Sequence, residues 1–269
     1  ADAYLVLSNW GWMDHRDGHQ RGIAAAERAL ELDADNARAM ASLGALHLWS
    51  TRDWARSEAY FRRSIELDAE YAYAHYWYSA LLSALGRHTE SIVEAREAEE
   101  LDPLSPQIAY GYSRALFLAR QYGQVVEEIS EALASFPDYG PLLAQLCRCQ
   151  IFLGNFQEAE AACRQEQVVA GTGRTLSMAL VHAYQGDRAG ALEEMQGVAE
   201  LQGGDELQPI IVAMIHAGLG DMDEAFERLE YAFDGEYPYL EYLPSNPFFD
   251  PLREDPRYAE LLRRIGLGG

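Results

Sequence analysis

Apolar and small residues recur along this chain at three- and four-residue steps, the spacing that gathers side chains on one face of an α-helix. The clearest stretch is residues 71–106. There His75, Tyr78, Ser79 and Leu82 share a face of one helix, Ser91, Ala95 and Ala98 share a face of a second, and Gly86-Arg87 marks the turn between them. One helix pair cannot bury such a face alone, whereas a row of copies can. The punctuation does repeat: Gly86, Gly154, Gly186 and Gly220 each stand just before a second helix, 68, 32 and 34 residues apart. Asp33, Asp68, Asp102 and Phe136 close second helices at steps of 35, 34 and 34. This period predicts an all-α fold, an α-α superhelix of about seven helix pairs stacked as a solenoid.

In chain order, residues 3–13 (AYLVLSNWGWM) read as a first helix, then a polar turn, DHRDGHQ, and a second helix over 21–32. Met40, Leu43, Gly44 and His47 face Ser57, Phe61 and Ser64, with one extra residue in the turn around 51–53. Ala109, Tyr112, Ser113 and Leu116 pair with Val125, Ile129 and Ala132 between Pro106 and Pro137, prolines that suit helix starts and stops. Leu143, Leu146, Cys147 and Gln150 pair with Ala159 and Cys163, and AGTGRT (170–175) is an irregular junction. Met178, Ala179 and His182 pair with Ala191, Met195 and Val198, ended by Gly203-Gly204; Val212, Ala213 and His216 with Ala225, Leu229 and Ala232 make the last pair. The period stops at Asp234, and the remaining residues are rich in proline and aromatics, closing in a short helix over 256–265. The expected organisation is a solenoid over 1–235 and a C-terminal cap, 236–269, packed on the last repeat, because a solenoid needs a terminal element with one polar face.

Two stretches carry a likeness to a known family: AHYWYSALLSALGR (74–87) with ELDPLSP (100–106), and the ending NPFFDPLREDPRYAELLRRIGL (246–267). The chain resembles the tetratricopeptide-repeat modules at the C-terminal ends of bacterial winged-helix transcriptional regulators, class III adenylate cyclases and serine/threonine kinases. The resemblance implies a protein-binding or regulatory accessory domain, the effector lying outside it. The sequence departs from the repeat pattern where Met40, His75, Ala109, Leu143, Thr175 and Pro209 replace the large aromatic early in each first helix. It departs again where Ser42, Trp77, Gly111 and Gln145 replace the asparagine of peptide-binding members, which argues against their usual backbone clamp.

Charge narrows the partners. Acidic residues outnumber basic ones 43 to 21, a net charge of -22, which repels phosphate backbones and anionic lipid headgroups. No nucleic acid and no membrane are therefore expected as partners. All the basic residues are arginine, a bias that fits either a GC-rich genome or adaptation to high salt. Three cysteines, Cys147, Cys149 and Cys163, without framework spacing suit a reducing compartment, and buried structural thiols are expected at Cys147 and Cys163. No stretch approaches the roughly 20 apolar residues of a membrane span, so a cytoplasmic location is expected. The start at Ala1 reads as a cut domain or a processed product.

Catalytic imitations dissolve on inspection. His15-Arg16-Asp17 copies a kinase triplet without its downstream asparagine, and the glycines of 170–175 lack the lysine of a phosphate loop. His15 and His19 with Asp14 and Asp17 could approach a metal, but Gly18 is read as breaking the helical spacing, and a solvated turn is favoured. His47, His182 and His216 recur at one repeat position and read as structural. No nucleophile, base and orienting group can be assembled, so no enzyme, cofactor or metal is expected. The constellation that remains is Arg38, Tyr73, Tyr76, Trp77, Tyr110, Arg114, Gln145 and Arg148, which first helices should turn toward a concave surface. Arginine and aromatics dominate binding hot spots. The expected function is a scaffold or regulatory module that docks a protein or peptide segment with acidic groups or a C-terminal carboxylate, the opposing view being that these side chains fill space between helices. The alternative is the sensory half of a larger signalling enzyme or transcriptional regulator, and a homodimer through exposed repeat faces is a third reading.

Overall fold

The computed structural model describes residues 1–9, 13–203 and 207–268, with Ser8 and Asn9 given by backbone alone. Among these residues every regular element is helical, in seven successive pairs followed by a C-terminal segment. The pairs are α1 (Asp2–Asn9) with α2 (His15–Leu32), α3 (Ala37–Leu46) with α4 (Trp54–Leu67), α5 (Ala72–Ala84) with α6 (His88–Leu101) and α7 (Pro106–Leu118) with α8 (Tyr122–Ser135). Then come α9 (Gly140–Leu153) with α10 (Phe156–Ala170), α11 (Leu176–Gln185) with α12 (Arg188–Leu201) and α13 (Pro209–Leu219) with α14 (Met222–Asp234). The chain closes with short 3-10 turns, Leu240–Tyr242 and Pro247–Leu252, and α15 (Pro256–Arg264).

The hairpins close tightly because small residues recur where the two helices of a pair cross. Gly44, Ser79, Ser113, Cys147, Ala179 and Ala213 occupy one such place on successive first helices, and Ser57, Ser91, Val125, Ala159, Ala191 and Ala225 another on the second helices; the side chains are buried. Ser57 Oγ donates to Gly44 O at 2.8 Å and Ser91 Oγ to Ser79 O at 2.8 Å, so these two hydroxyls are satisfied by the facing backbone, while Ser79 and Ser113 Oγ donate within their own helices to Tyr76 O and Tyr110 O. At Gly44 a Cβ would stand 2.6 Å from the Phe61 ring, which is why that crossing takes no side chain.

Three local departures from the sequence reading have physical causes. The stretch DHRDGHQ is not a turn but the first turns of α2, begun by the Asp14 side chain accepting from Asp17 N. Gly18 stays in the helix and is buried, its propensity penalty of about 1 kcal/mol outweighed by packing. Residues 10–12 of the expected first helix, and Gly204 of the Gly203-Gly204 stop, lie outside the described residues. The extra residue near 51–53 is absorbed as a π-helical turn, His47–Thr51, ended by Arg52 in the left-handed conformation, φ 52°.

The gap of 68 between Gly86 and Gly154 is also explained. Arg120 stands midway, at the same repeat position, with φ 63°. A side chain there costs roughly 1–2 kcal/mol, and a two-point ion pair of Arg120 to Asp250, 2.7 and 2.8 Å, helps to hold it.

The chain forms two compact units, one of residues 1–115, 233–245 and 262–269, the other of 116–232 and 246–261. The C-terminal segment, expected as one cap over 236–269, is divided between them. In the second unit the 3-10 turn Pro247–Leu252 packs on α13, and Arg257 lies 4.3 Å over the Phe226 ring of α14 while pairing with Asp223 at 2.8 Å. In the first unit, residues 236–245 leave the last pair and run along earlier repeats.

Candidate functional site

In the first unit, residues 236–245 lie against the first helices of the early repeats. The segment enters through Arg16 and Glu236, 2.9 Å apart, with the His15 ring 5.2 Å from that of Tyr237. Its central 3-10 turn packs on α5 and buries Leu240, Glu241, Tyr242 and Leu243. Trp49 Nε1 donates to Glu241 Oε1 at 2.9 Å, and Ser245 Oγ donates to Ser83 O at 2.9 Å. The partners are separated by 192 and 162 residues, so these bonds are tertiary in origin.

Charge is enclosed here. Glu241 is 3% exposed, and burial pushes its carboxyl up to about 7 against the downward pull of its own backbone, Arg52, Trp49 and Arg114. Burial conversely lowers the Arg52 guanidinium, which lies over the Phe233 ring at 5.0 Å. Arg114 is 6% exposed and is faced by three tyrosine rings, Tyr242 at 5.2 Å and Tyr76 and Tyr110 at 5.7 Å each. A guanidinium stays protonated in such surroundings, and stacked rings stabilise it through their π faces. Gly111 makes this possible: a Cβ there would sit 2.3 Å from Tyr76. Glycine at that place, where the repeat pattern carries asparagine, is what lets the Tyr76 ring lie against α7.

The sequence-predicted site residues separate accordingly. Tyr73, Tyr76, Trp77, Tyr110 and Arg114 come together in the first unit, Tyr73 meeting Tyr76 at 5.8 Å and Trp77 at 5.5 Å. Tyr76, Trp77 and Arg114 are buried, whereas Tyr73 and Tyr110 are half-buried. Arg38 is exposed, its guanidinium 5.4 Å over the Tyr71 ring. Gln145 and Arg148 lie on α9 in the second unit; among the described residues Gln145, 2% exposed, has no acceptor for Nε2, and the Nε of half-buried Arg148 also has none. Sequence reasoning missed Trp49, Arg52, Glu241, Tyr242 and Ser245. The density of tyrosine in YPYLEYLPS was the available signal, and it was spent on a capping role.

The second unit brings the same segment onto first helices with different chemistry. Phe248 is fully buried, its ring 4.6 Å from Phe152, 5.2 Å from Tyr184 and 6.1 Å from Phe117. Tyr184 OH donates to the Phe248 carbonyl at 3.3 Å. Cys147 and Cys163 are not free thiols, as expected from the sequence, but are joined in a disulfide across the α9–α10 hairpin, Cα–Cα 5.8 Å; Cys149 is free and buried. Sixteen residues apart in sequence, they are brought together by the helix crossing, a proximity that spacing alone does not reveal.

His15 and His19, expected to be misaligned by Gly18, stand one turn apart on α2 with ring centroids 6.3 Å apart. Burial and the neighbouring His15 push the His19 imidazole down to about 4. Among the described residues no group of three or more His, Cys, Asp or Glu side chains could hold a metal ion, and no helix is long and apolar enough to cross a membrane.

Known proteins share this hairpin geometry. Residues 116–165, which hold α8, α9 and most of α10, match the tetratricopeptide repeat profile. The chain has the fold of the tetratricopeptide repeat. No curated protein sequence matches it. Among solved structures it is similar to a tetratricopeptide repeat protein from Parabacteroides merdae, with a TM-score of 0.61 at 11% identity over 93% of this chain and 99% of that one. It is similar to PilW, a type IV pilus biogenesis factor, with a TM-score of 0.54 at 15% identity over 89% and 92%. It is also similar to a chain of the APC/C Cut9–Hcn1 hetero-tetramer, with a TM-score of 0.60 at 13% identity over 92% of this chain and 46% of that one. At these identities the likeness is one of fold. The tetratricopeptide-repeat hairpins supply rows of first helices, and on them lie the buried charges and rings of Trp49, Arg114 and Glu241.

Proposed function

We propose that the chain is a non-catalytic protein-interaction scaffold that docks a partner segment on the first-helix faces of its repeats. A tetratricopeptide-repeat fold is a protein-interaction scaffold, and a rigid row of hairpins orders little on binding, which preserves affinity. The observation that carries the reading is the way the first unit already holds residues 238–245. Its first helices engage them through a tryptophan N–H on a carboxylate, a hydroxyl on a backbone carbonyl and a guanidinium against a tyrosine ring. These are the contacts by which a protein face recognises a peptide. At the rim, exposed Arg38 and half-buried Tyr73 continue the same residue types, and half-buried Arg148 does so in the second unit.

Panning a random peptide library against the full chain tests this. Clones should be enriched whose binding falls at least tenfold in Arg38→Glu/Tyr73→Ala or in Arg148→Glu. Enrichment insensitive to both variants, or no enrichment, would remove the first-helix faces as docking sites.

A further inference from the structure

The first-helix face of the first unit is occupied, and its occupant is poorly suited to staying. Two residues of the entering segment, Glu236 at φ 53° and Tyr239 at φ 77°, sit in the left-handed region without being glycine. Such positions are strained and persist only where the surroundings hold them. The occupant also carries a carboxylate into an interior where Glu241 is 3% exposed, and burying charge is costly unless it is well paired. Among the described residues Trp49 Nε1 is the side-chain hydrogen-bond donor that meets that carboxylate, while Arg52 and Arg114 act on it through their charge. The segment is a loop in chain order: residues 232 and 246, at its two ends, belong to the compact second unit. Its withdrawal therefore leaves the α13, α14 and Phe248 contacts of that unit in place.

We propose that residues 238–245 are a built-in competitor for the first unit's first-helix face. The partner they exclude is a protein segment that presents one carboxylate between aromatic residues to Trp49, Arg52 and Arg114. This rests on the scaffold reading and names its partner chemistry and its regulation. The recognition chemistry is read from the occupant itself. Tyr-Leu-Glu-Tyr-Leu places Glu241 against the Trp49 indole N–H and Tyr242 against the Arg114 guanidinium, 5.2 Å from the ring centroid. Leu240 and Leu243, both fully buried, fill the apolar positions on either side. A partner with the same order of groups and a relaxed backbone gains these contacts without the two left-handed residues. The net charge of -22 disfavours a generally acidic partner, so the face selects one carboxylate in an aromatic setting and not a run of acids.

The probe is a synthetic peptide with the sequence of residues 237–245, YPYLEYLPS, titrated into the full chain by fluorescence anisotropy. Wild-type chain should bind it weakly, Glu241→Ala/Tyr242→Ala at least tenfold more tightly, and the same chain with Trp49→Phe and Arg114→Met added should lose that gain. A peptide with glutamine in place of its glutamate should bind at least tenfold more weakly to the opened chain. Equal affinity for wild-type and opened chains, or indifference to the glutamine, overturns the proposal. Should the opened variant not fold, amide exchange by NMR on isotope-labelled wild-type chain decides: with excess unlabelled peptide, residues 238–245 exchange faster if displaced, and unchanged exchange overturns the idea. A concentration-dependent mass of the wild-type chain would assign the face to the loop of a second copy and overturn the partner. Library clones that depend on Arg38 or Arg148 but leave residues 238–245 protected would preserve the scaffold reading while removing the competitor.

Discussion

The two compact units meet one requirement, seating the C-terminal segment on a row of first helices, in opposite ways. The second unit uses Phe248 inside a box of Phe117, Phe152 and Tyr184, and pins the adjoining turn from outside with Arg120 on Asp250. The first unit buries Glu241, Arg114 and the Trp49 N–H together with tyrosines. The hairpins differ in the same sense. Ser57 and Ser91 cross their partner helices in the first unit with donated hydrogen bonds, whereas Ala159, Ala191 and Ala225 cross in the second without hydroxyls, and the α9–α10 hairpin is closed by a disulfide. Apolar burial is insensitive to pH and hard to reverse; buried charge is conditional on protonation and on its partners. A contact built to persist and a contact built to exchange would be expected to differ in this way.

Four measurements test this contrast. The largest effect is expected for Phe248→Ala, which empties a closed aromatic box and should lower stability by about 3–5 kcal/mol in urea or guanidinium unfolding; a loss below about 1 kcal/mol would deny that the second unit depends on this anchor. Next, thiol titration in denaturant without reductant should find one reactive thiol, Cys149, and reduction should lower stability by about 3 kcal/mol for a loop of this length. Finding three thiols would return Cys147 and Cys163 to the free state.

The third test concerns the first unit. The Glu241 carboxyl is raised by burial to about 7. Between the ordinary carboxylate range and pH 7 the unfolded chain gives up this proton first, so stability falls as pH rises through that window, by about 3 kcal/mol. Glu241→Gln keeps an acceptor for Trp49 and should abolish this part of the slope; an identical slope in the variant would place the charge elsewhere. The smallest effect belongs to His75. Burial would lower it, but Glu94 at 2.7 Å on Nδ1 and the Ala69 carbonyl at 3.1 Å on Nε2 outweigh this and raise it. The stability it contributes is full below its ordinary value near 6.5 and is lost as pH rises through the higher folded value. An NMR titration should show the ring titrating later than a free histidine, and Glu94→Gln should bring it back down.

How far the sequence could be read depends on the distance over which each feature is decided. The helix pairs were legible because each face repeats within one turn and each pair within about 34 residues. Arg52 and Arg120 hid two of the turns, since arginine carries no mark of a left-handed backbone; Arg120 is held there by Asp250, 130 residues away. Tyr76, Trp77 and Arg114 were legible as candidate hot-spot residues, but not as covered ones. Their cover comes from Tyr242 and its neighbours, and nothing in the local pattern at 71–116 refers to that segment.

The amino-acid sequence was enough for the all-helical class and the period, because these rest on short-range geometry and on apolar faces that must find a like neighbour. Only the tertiary structure decided where the C-terminal segment lies, which cysteines meet and which charges are enclosed. Those outcomes join residues 16 to 220 positions apart, and the free energy that selects them, burial of one particular segment on one particular face, exists only once the hairpins have assembled.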